Sequence, residues 1–219
     1  MNPQRRRQIF LHLQAANPQP KSELEYASPF QLLIAVMLSA QATDRSVNAA
    51  TRRLFQTAPT AAAMLALGLS GLKRHIRTIG LYNAKARHIM ATCRLLVEHY
   101  GGEVPRLREQ LEALPGVGRK TANVVLNVAF GEATLAVDTH VFRVANRTGL
   151  ARGATPRAVE DELQRTIAPE FLHDAHHWLI LHGRYTCKAR RPECPRCPIA
   201  TWCEYESKTT DELVLATQP

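Results

Sequence analysis

The chain has 219 residues, 45% of them hydrophobic and 21% charged. That excludes collagenous, low-complexity and disordered classes and leaves room for one large or two small domains. Its 28 Lys and Arg residues outnumber 19 Asp and Glu, for a net charge of +9 and a pI near 9.7. A surplus of that size favours a polyanionic partner, nucleic acid first, over a basic surface with no special partner. No uncharged apolar run reaches the roughly 18 residues of a membrane span. The most apolar, residues 30–40, is too short. Arg5, Arg6 and Arg7 are not followed by an apolar segment adequate for a secretory leader, so a cytoplasmic protein with no membrane partner is expected.

Almost every periodic segment repeats at helical spacing. Ser28-Pro29 supplies a capping hydroxyl and a first-turn proline for a helix over residues 30–39. Asp44 is expected to cap a helix carrying Val47, Ala50, Leu54 and Phe55, and Thr60 to open a short helix closed by Gly68. Over residues 83–100, Ala86, Ile89, Met90, Cys93, Leu96, Val97 and Tyr100 form one apolar stripe that Gly101-Gly102 ends. Cys93 is therefore expected as a core thiol. Thr155-Pro156 opens a helix with Val159, Leu163 and Ile167, and residues 174–185 form another around Trp178, Leu179 and Leu181. No stretch alternates with period two long enough for a strand, and residues 135–137 are extended at most. The fold class is all-α, with about nine or ten helices. Breaks at residues 18–21 and 131–134 divide the chain into a module of residues 22–132, a second of 1–21 plus 133–211, and a tail of 212–219.

Three segments carry chemistry. The first is Leu114-Pro115-Gly116-Val117-Gly118-Arg119-Lys120-Thr121-Ala122, between a helix ending near Ala113 and an apolar one through Val124, Val125, Val128 and Phe130. Two glycines one residue apart let the backbone approach a partner, and the amides of the following helix start point at an anion such as a DNA phosphate. A plain helix–helix turn is the alternative. Lys120 would ordinarily be a solvated cation. Beside Arg119 at a helix start, positive surroundings favour its neutral amine, a nucleophile able to form a Schiff base; a phosphate contact is its other use. The second segment, Val137-Asp138-Thr139-His140, delivers one carboxylate at a helix start. Asp138 can cap that helix, stabilise positive charge, or do both.

The third is Cys187-x6-Cys194-x2-Cys197-x5-Cys203, four cysteines within 17 residues. In a cytoplasmic chain such crowding reads as a metal or cluster site. Zinc and an iron–sulfur cube both fit four thiolates, and the single close pair leans towards iron–sulfur. Arg184, Lys188, Arg190, Arg191 and Arg196 surround the cysteines against Glu193 alone, so the loop reads as a phosphate contact held in shape by metal. His176-His177 reads as interhelical contact. No P-loop or dinucleotide fingerprint is present.

In this order the motifs resemble the endonuclease III family of bifunctional DNA glycosylases. The resemblance spans roughly residues 5–205 and rests also on Leu38-Ser39-Ala40-Gln41-Ala42-Thr43-Asp44, Gly80-Leu81-Tyr82-Asn83-Ala84-Lys85-Ala86 and His182-Gly183-Arg184-Tyr185-Thr186-Cys187. It implies a two-domain helix-hairpin-helix fold with DNA bound across the cleft and a C-terminal [4Fe–4S] loop held by Cys187, Cys194, Cys197 and Cys203. It implies Lys120 as nucleophile, Asp138 as its carboxylate partner, and Gln41 and Leu81 as side chains that enter the DNA helix beside a flipped nucleotide. Gly116, Val117, Gly118 and Arg119 would hold the backbone. The implied partner is duplex DNA with oxidised or ring-damaged pyrimidines or abasic sites, met by a monomer on the bacterial nucleoid. A related adenine glycosylase would need a glutamate where Val36 stands and has no lysine matching Lys120. A non-enzymatic iron–sulfur DNA-binding protein would share everything but the use of Lys120 and Asp138, and a zinc-binding regulator would carry zinc on the four cysteines.

Overall fold

The computed structural model describes residues 1–210; residue 211 and the expected tail over 212–219 lie outside the described residues. Among the described residues there are ten α-helices, one 3-10 turn at Cys194–Arg196 and no strand. The helices are α1 (Pro3–Ala16), α2 (Pro29–Ser39), α3 (Asp44–Thr57), α4 (Ala61–Ile76), α5 (Tyr82–Tyr100), α6 (Arg108–Glu112), α7 (Arg119–Phe130), α8 (Thr139–Thr148), α9 (Pro156–Thr166) and α10 (Pro169–Tyr185). No helix among the described residues is long and apolar enough to cross a membrane. The chain divides into two compact units, one of Ser22–Glu132 and one joining Met1–Lys21 to the chain from Ala133 onward.

The Ser22–Glu132 unit is built around α2. Residues 32–38 of that helix are all buried, so it is apolar on every side and must be surrounded. Helices α3, α5 and α7 pack against it, and α4 packs on α3 and α5. Cys93 lies in this core at 0% exposure, and burial pushes its thiol up to about 12, which leaves it an inert apolar filler.

In the other unit α8 packs on α9 and α10, and α1 on α10. Phe10, Phe171 and Trp178 form its aromatic centre, with Phe10 stacked on Phe171 at 5.6 Å and 6.3 Å from Trp178. The indole N–H of Trp178 donates to the carbonyl of Asn17 at 2.8 Å, which satisfies its polar end. His176 and His177 are buried edge to face, and His176 Nδ1 bonds the carbonyl of Ala136 at 2.9 Å.

Several boundaries differ from the sequence reading. Thr43, not Asp44, caps α3 through its hydroxyl, and Asp44 is the first helical residue, where its charge still faces the positive helix end. Gly68 breaks the helix after Thr60 with φ 73°, but the chain resumes helical turns to Ile76. Helix α10 starts at Pro169 rather than near residue 174. Removing the Phe10 ring should leave a cavity at the aromatic centre. Phe10→Ala is expected to cost about 3–5 kcal/mol, read as a lower urea midpoint with an unchanged slope.

Candidate active site

Within the Ser22–Glu132 unit the hairpin runs from α6 to α7. Gly116 has φ 79°, a conformation that only glycine adopts freely, and a Cβ there would lie 2.8 Å from the Cβ of His88 on α5. Val117 is buried and its amide bonds the carbonyl of Leu114 at 3.0 Å, closing the turn. Gly118 caps α7 with no side-chain bond, so the cap residue itself satisfies none of the first amides of the helix. Arg119 pairs with Glu112 at 3.7 Å. Lys120 follows it, exposed in the first turn of α7.

On the face of α5 behind the hairpin, His88 and Thr92 carry no signal in the sequence. Thr92 Oγ1 donates to the carbonyl of Pro115 at 2.9 Å, and His88 lies against Gly116. One turn earlier on the same face, the buried Lys85 ammonium donates to the carbonyls of Leu38 and Ala40 at 2.8 and 2.6 Å. Leu81, which precedes α5, has φ 58° and is 64% exposed. Gln41 is exposed and has φ 55°. These are the only non-glycine residues with positive φ among the described residues. A side chain with a Cβ is strained there, and such strain collects where a structure needs a particular aim.

Asp138 belongs to the other unit. Its Oδ1 accepts from the amides of His140 and Val141, both at 2.8 Å, so the side chain caps α8 and is fixed in direction. Two arginines one turn apart on α8 reach to the cysteine loop. Arg143 donates to the carbonyls of Cys187 at 3.0 Å and Gly183 at 2.8 Å. Arg147 donates to the carbonyls of Lys188 and Ala189, both at 2.7 Å, and lies over the Tyr205 ring. Gly183 of α10 faces α8 so closely that a Cβ there would come 2.9 Å from the Cβ of His140.

The structure brings the four cysteines together. Cys187, Cys194, Cys197 and Cys203 are free thiols lining one pocket with His182, Pro192 and Ile199. Among the described residues no three His, Cys, Asp or Glu groups are arranged to hold a metal ion. The donor set suits a cluster of several irons all the same. Arg147 Nη1 points at the Cys187 sulfur at 3.8 Å, His182 Nε2 lies 3.6 Å from the Cys197 sulfur, and the Tyr205 amide lies 3.5 Å from the Cys203 sulfur. Such contacts to sulfur are what cluster thiolates use. Burial pushes the Cys197 thiol up to about 11 and raises that of Cys203, with the neighbouring sulfurs adding to both.

Of the expected phosphate contacts, Lys188, Arg190 and Arg191 are exposed on this loop and Arg184 is half-buried in the last turn of α10. Glu193 draws in Lys188 at 2.5 Å and also Arg196, and these partners hold its carboxyl below the usual range. Two of the cations counted from sequence are thus already paired.

Residues 34–169 match the HhH-GPD superfamily of base excision DNA repair proteins. The chain is 59% identical over 208 residues to endonuclease III of Escherichia coli K12, covering 95% of this chain and 99% of that one. Endonuclease III of Haemophilus influenzae matches with the same identity and coverage. Among solved structures, a trapped covalent endonuclease III–DNA intermediate superposes with a TM-score of 0.88 at 46% identity, covering 93% of this chain and 96% of that one. A thermostable thymine-DNA glycosylase shares the fold at 24% identity, with a TM-score of 0.83 over 92% of this chain and 96% of its own. With hairpin, capped carboxylate and cysteine loop carried on one all-helical chain, the protein belongs to the endonuclease III family.

Proposed function

We propose that the chain is a base-excision repair enzyme that removes oxidised or ring-damaged pyrimidines from duplex DNA and cleaves the strand at the resulting abasic site. The observation that carries this reading is an exposed lysine directly after a phosphate-suited hairpin, on a chain that also fixes one carboxylate at a helix start. The units of residues 22–132 and of 1–21 with 133 onward act as its two domains, and the protein works as a monomer in the bacterial cytoplasm, on nucleoid DNA.

Damaged bases stack and pair poorly, so extruding one costs less than extruding an intact base. Gln41 and Leu81, exposed and already aimed by their backbones, enter the duplex and occupy the gap. The hairpin of Gly116, Val117 and Gly118, with Arg119, holds the backbone phosphates, and so do Arg184, Lys188, Arg190 and Arg191. The neutral amine of Lys120 attacks the sugar C1′ as the C1′–N bond breaks and the base leaves with the bonding pair. Asp138 stabilises the positive charge that develops on the sugar. The amine then loses its proton and the ring opens to a Schiff base, which acidifies the C2′ hydrogen. Loss of that proton expels the 3′ phosphate, and water later frees Lys120. Base loss and elimination need no nucleotide cofactor. Cys187, Cys194, Cys197 and Cys203 would hold a [4Fe–4S] cluster, whose contribution is to fix the shape of the basic loop.

Borohydride added to protein and a duplex with one thymine glycol should trap a covalent adduct, and Lys120→Ala should abolish it. Base release without adduct would instead point to a water nucleophile. Asp138→Asn keeps an oxygen to cap α8 and removes the charge, so base excision is expected to fall by at least about 100-fold while the urea midpoint barely moves. Asp138→Ala should lose about 1 kcal/mol of stability as well. Arg191→Ala should weaken binding to damaged and intact duplex alike in a filter-binding or anisotropy titration, because a backbone contact carries no lesion information.

A further inference from the structure

We propose that Lys85 is a positioning residue that sets the aim of Gln41 and Leu81; the inference rests on the insertion roles assigned to those two side chains. Lys85 lies in the first turn of α5 and is only 8% exposed. Its ammonium reaches the carbonyls of Leu38 and Ala40 at the C-terminal end of α2. A helix end presents carbonyls without amide partners and a negative dipole, so a cation there is doubly favoured. The residue after Ala40 is Gln41, whose backbone is left-handed, and the amide of Ala42 bonds back to the carbonyl of Ser39 at 3.0 Å. The lysine thus grips the carbonyl immediately before the strained turn.

The same lysine is tied to the second strained residue. Its own amide bonds the carbonyl of Leu81 at 3.1 Å, and a Cβ on Gly80 would lie 3.9 Å from the Gln41 carbonyl oxygen. The turn at Gly80–Leu81 therefore lies against the Gln41 turn, and Lys85 meets the first through its backbone amide and the second through its side chain, at the carbonyl just before Gln41. Its side chain bonds only these backbone carbonyls among the described residues, and burial lowers its proton affinity. A methionine would occupy similar space with less desolvation, so what the lysine adds is a pair of directed bonds.

The test uses a duplex with one thymine glycol and 2-aminopurine in the opposite strand beside it, whose fluorescence rises when the stack opens. Lys85→Met, Lys85→Arg, Gln41→Ala and Leu81→Ala are compared with the unaltered protein. Lys85→Met should slow single-turnover base excision about tenfold or more, the size of a lost charge-assisted bond, and shrink the fluorescence rise. Binding to intact duplex should change less than about twofold, because the hairpin is untouched. Lys85→Arg, which still donates to two carbonyls, should restore most of both signals. A purely structural role would lower the urea midpoint without this lesion-selective loss; should Lys85→Met not fold, Lys85→Leu, which also lacks a donor, carries the same comparison. Normal excision and fluorescence in Lys85→Met or its substitute, with loss in Gln41→Ala, would overturn the inference and leave insertion standing. An unchanged fluorescence rise in both Gln41→Ala and Leu81→Ala would overturn insertion and the inference with it.

Discussion

One face of α5 is the constraint on which the proposed DNA surface of the Ser22–Glu132 unit depends. Leu81, Lys85, His88 and Thr92 follow one another at steps of three or four residues, so they share a single line along the helix. Three of them hold two other segments: Lys85 the end of α2, and His88 and Thr92 the hairpin at Gly116 and Pro115. Loops are ordinarily the softest parts of a fold. Here the Gln41 turn, the Leu81 turn and the hairpin are referred to one rigid rod, so their spacing is that of helical turns. The apolar side of α5, with Ala86, Ile89, Cys93 and Leu96 buried, anchors the rod in the core.

The other unit uses α8 in a comparable way. The carboxylate of Asp138 sits at its start, and Arg143 and Arg147 leave its flank for the cysteine loop. These arginines bond carbonyl oxygens rather than carboxylates, and Arg147 also reaches the Cys187 sulfur, so they hold the loop in place instead of pairing with an acidic side chain. Cations at a helix flank that look free in sequence are in this case struts.

The sequence made the helices legible because their apolar stripes and caps are local signals. Ser28, Thr60 and Thr155 each bond an amide three residues on, and the fold class followed from such patterns. The hairpin was legible because glycines at 116 and 118 have few other uses. What stayed hidden has a common physical character. Lys85, Arg143 and Arg147 act across 40 or more residues, and a charged side chain in sequence looks the same whether it meets water or a distant carbonyl. The left-handed turns at Gln41 and Leu81 were equally invisible, because neither residue prefers that conformation and only the surrounding chain imposes it. At α3 two adjacent residues could both cap, and the difference between a threonine and an aspartate one place on was too small for pattern to decide.

Gly183 shows how narrow the tolerances are. Helices α8 and α10 meet there with no room for a methyl group, and the neighbour a Cβ would strike is His140, two residues after Asp138. A contact of that kind works as a spacer of zero thickness. Volume added at position 183 would be translated into displacement of the helix start that aims the carboxylate, whatever the polarity of the atoms that supply it. For that site the variable that matters along any lineage of substitutions is side-chain size, and the permitted value is the smallest one that amino-acid chemistry provides.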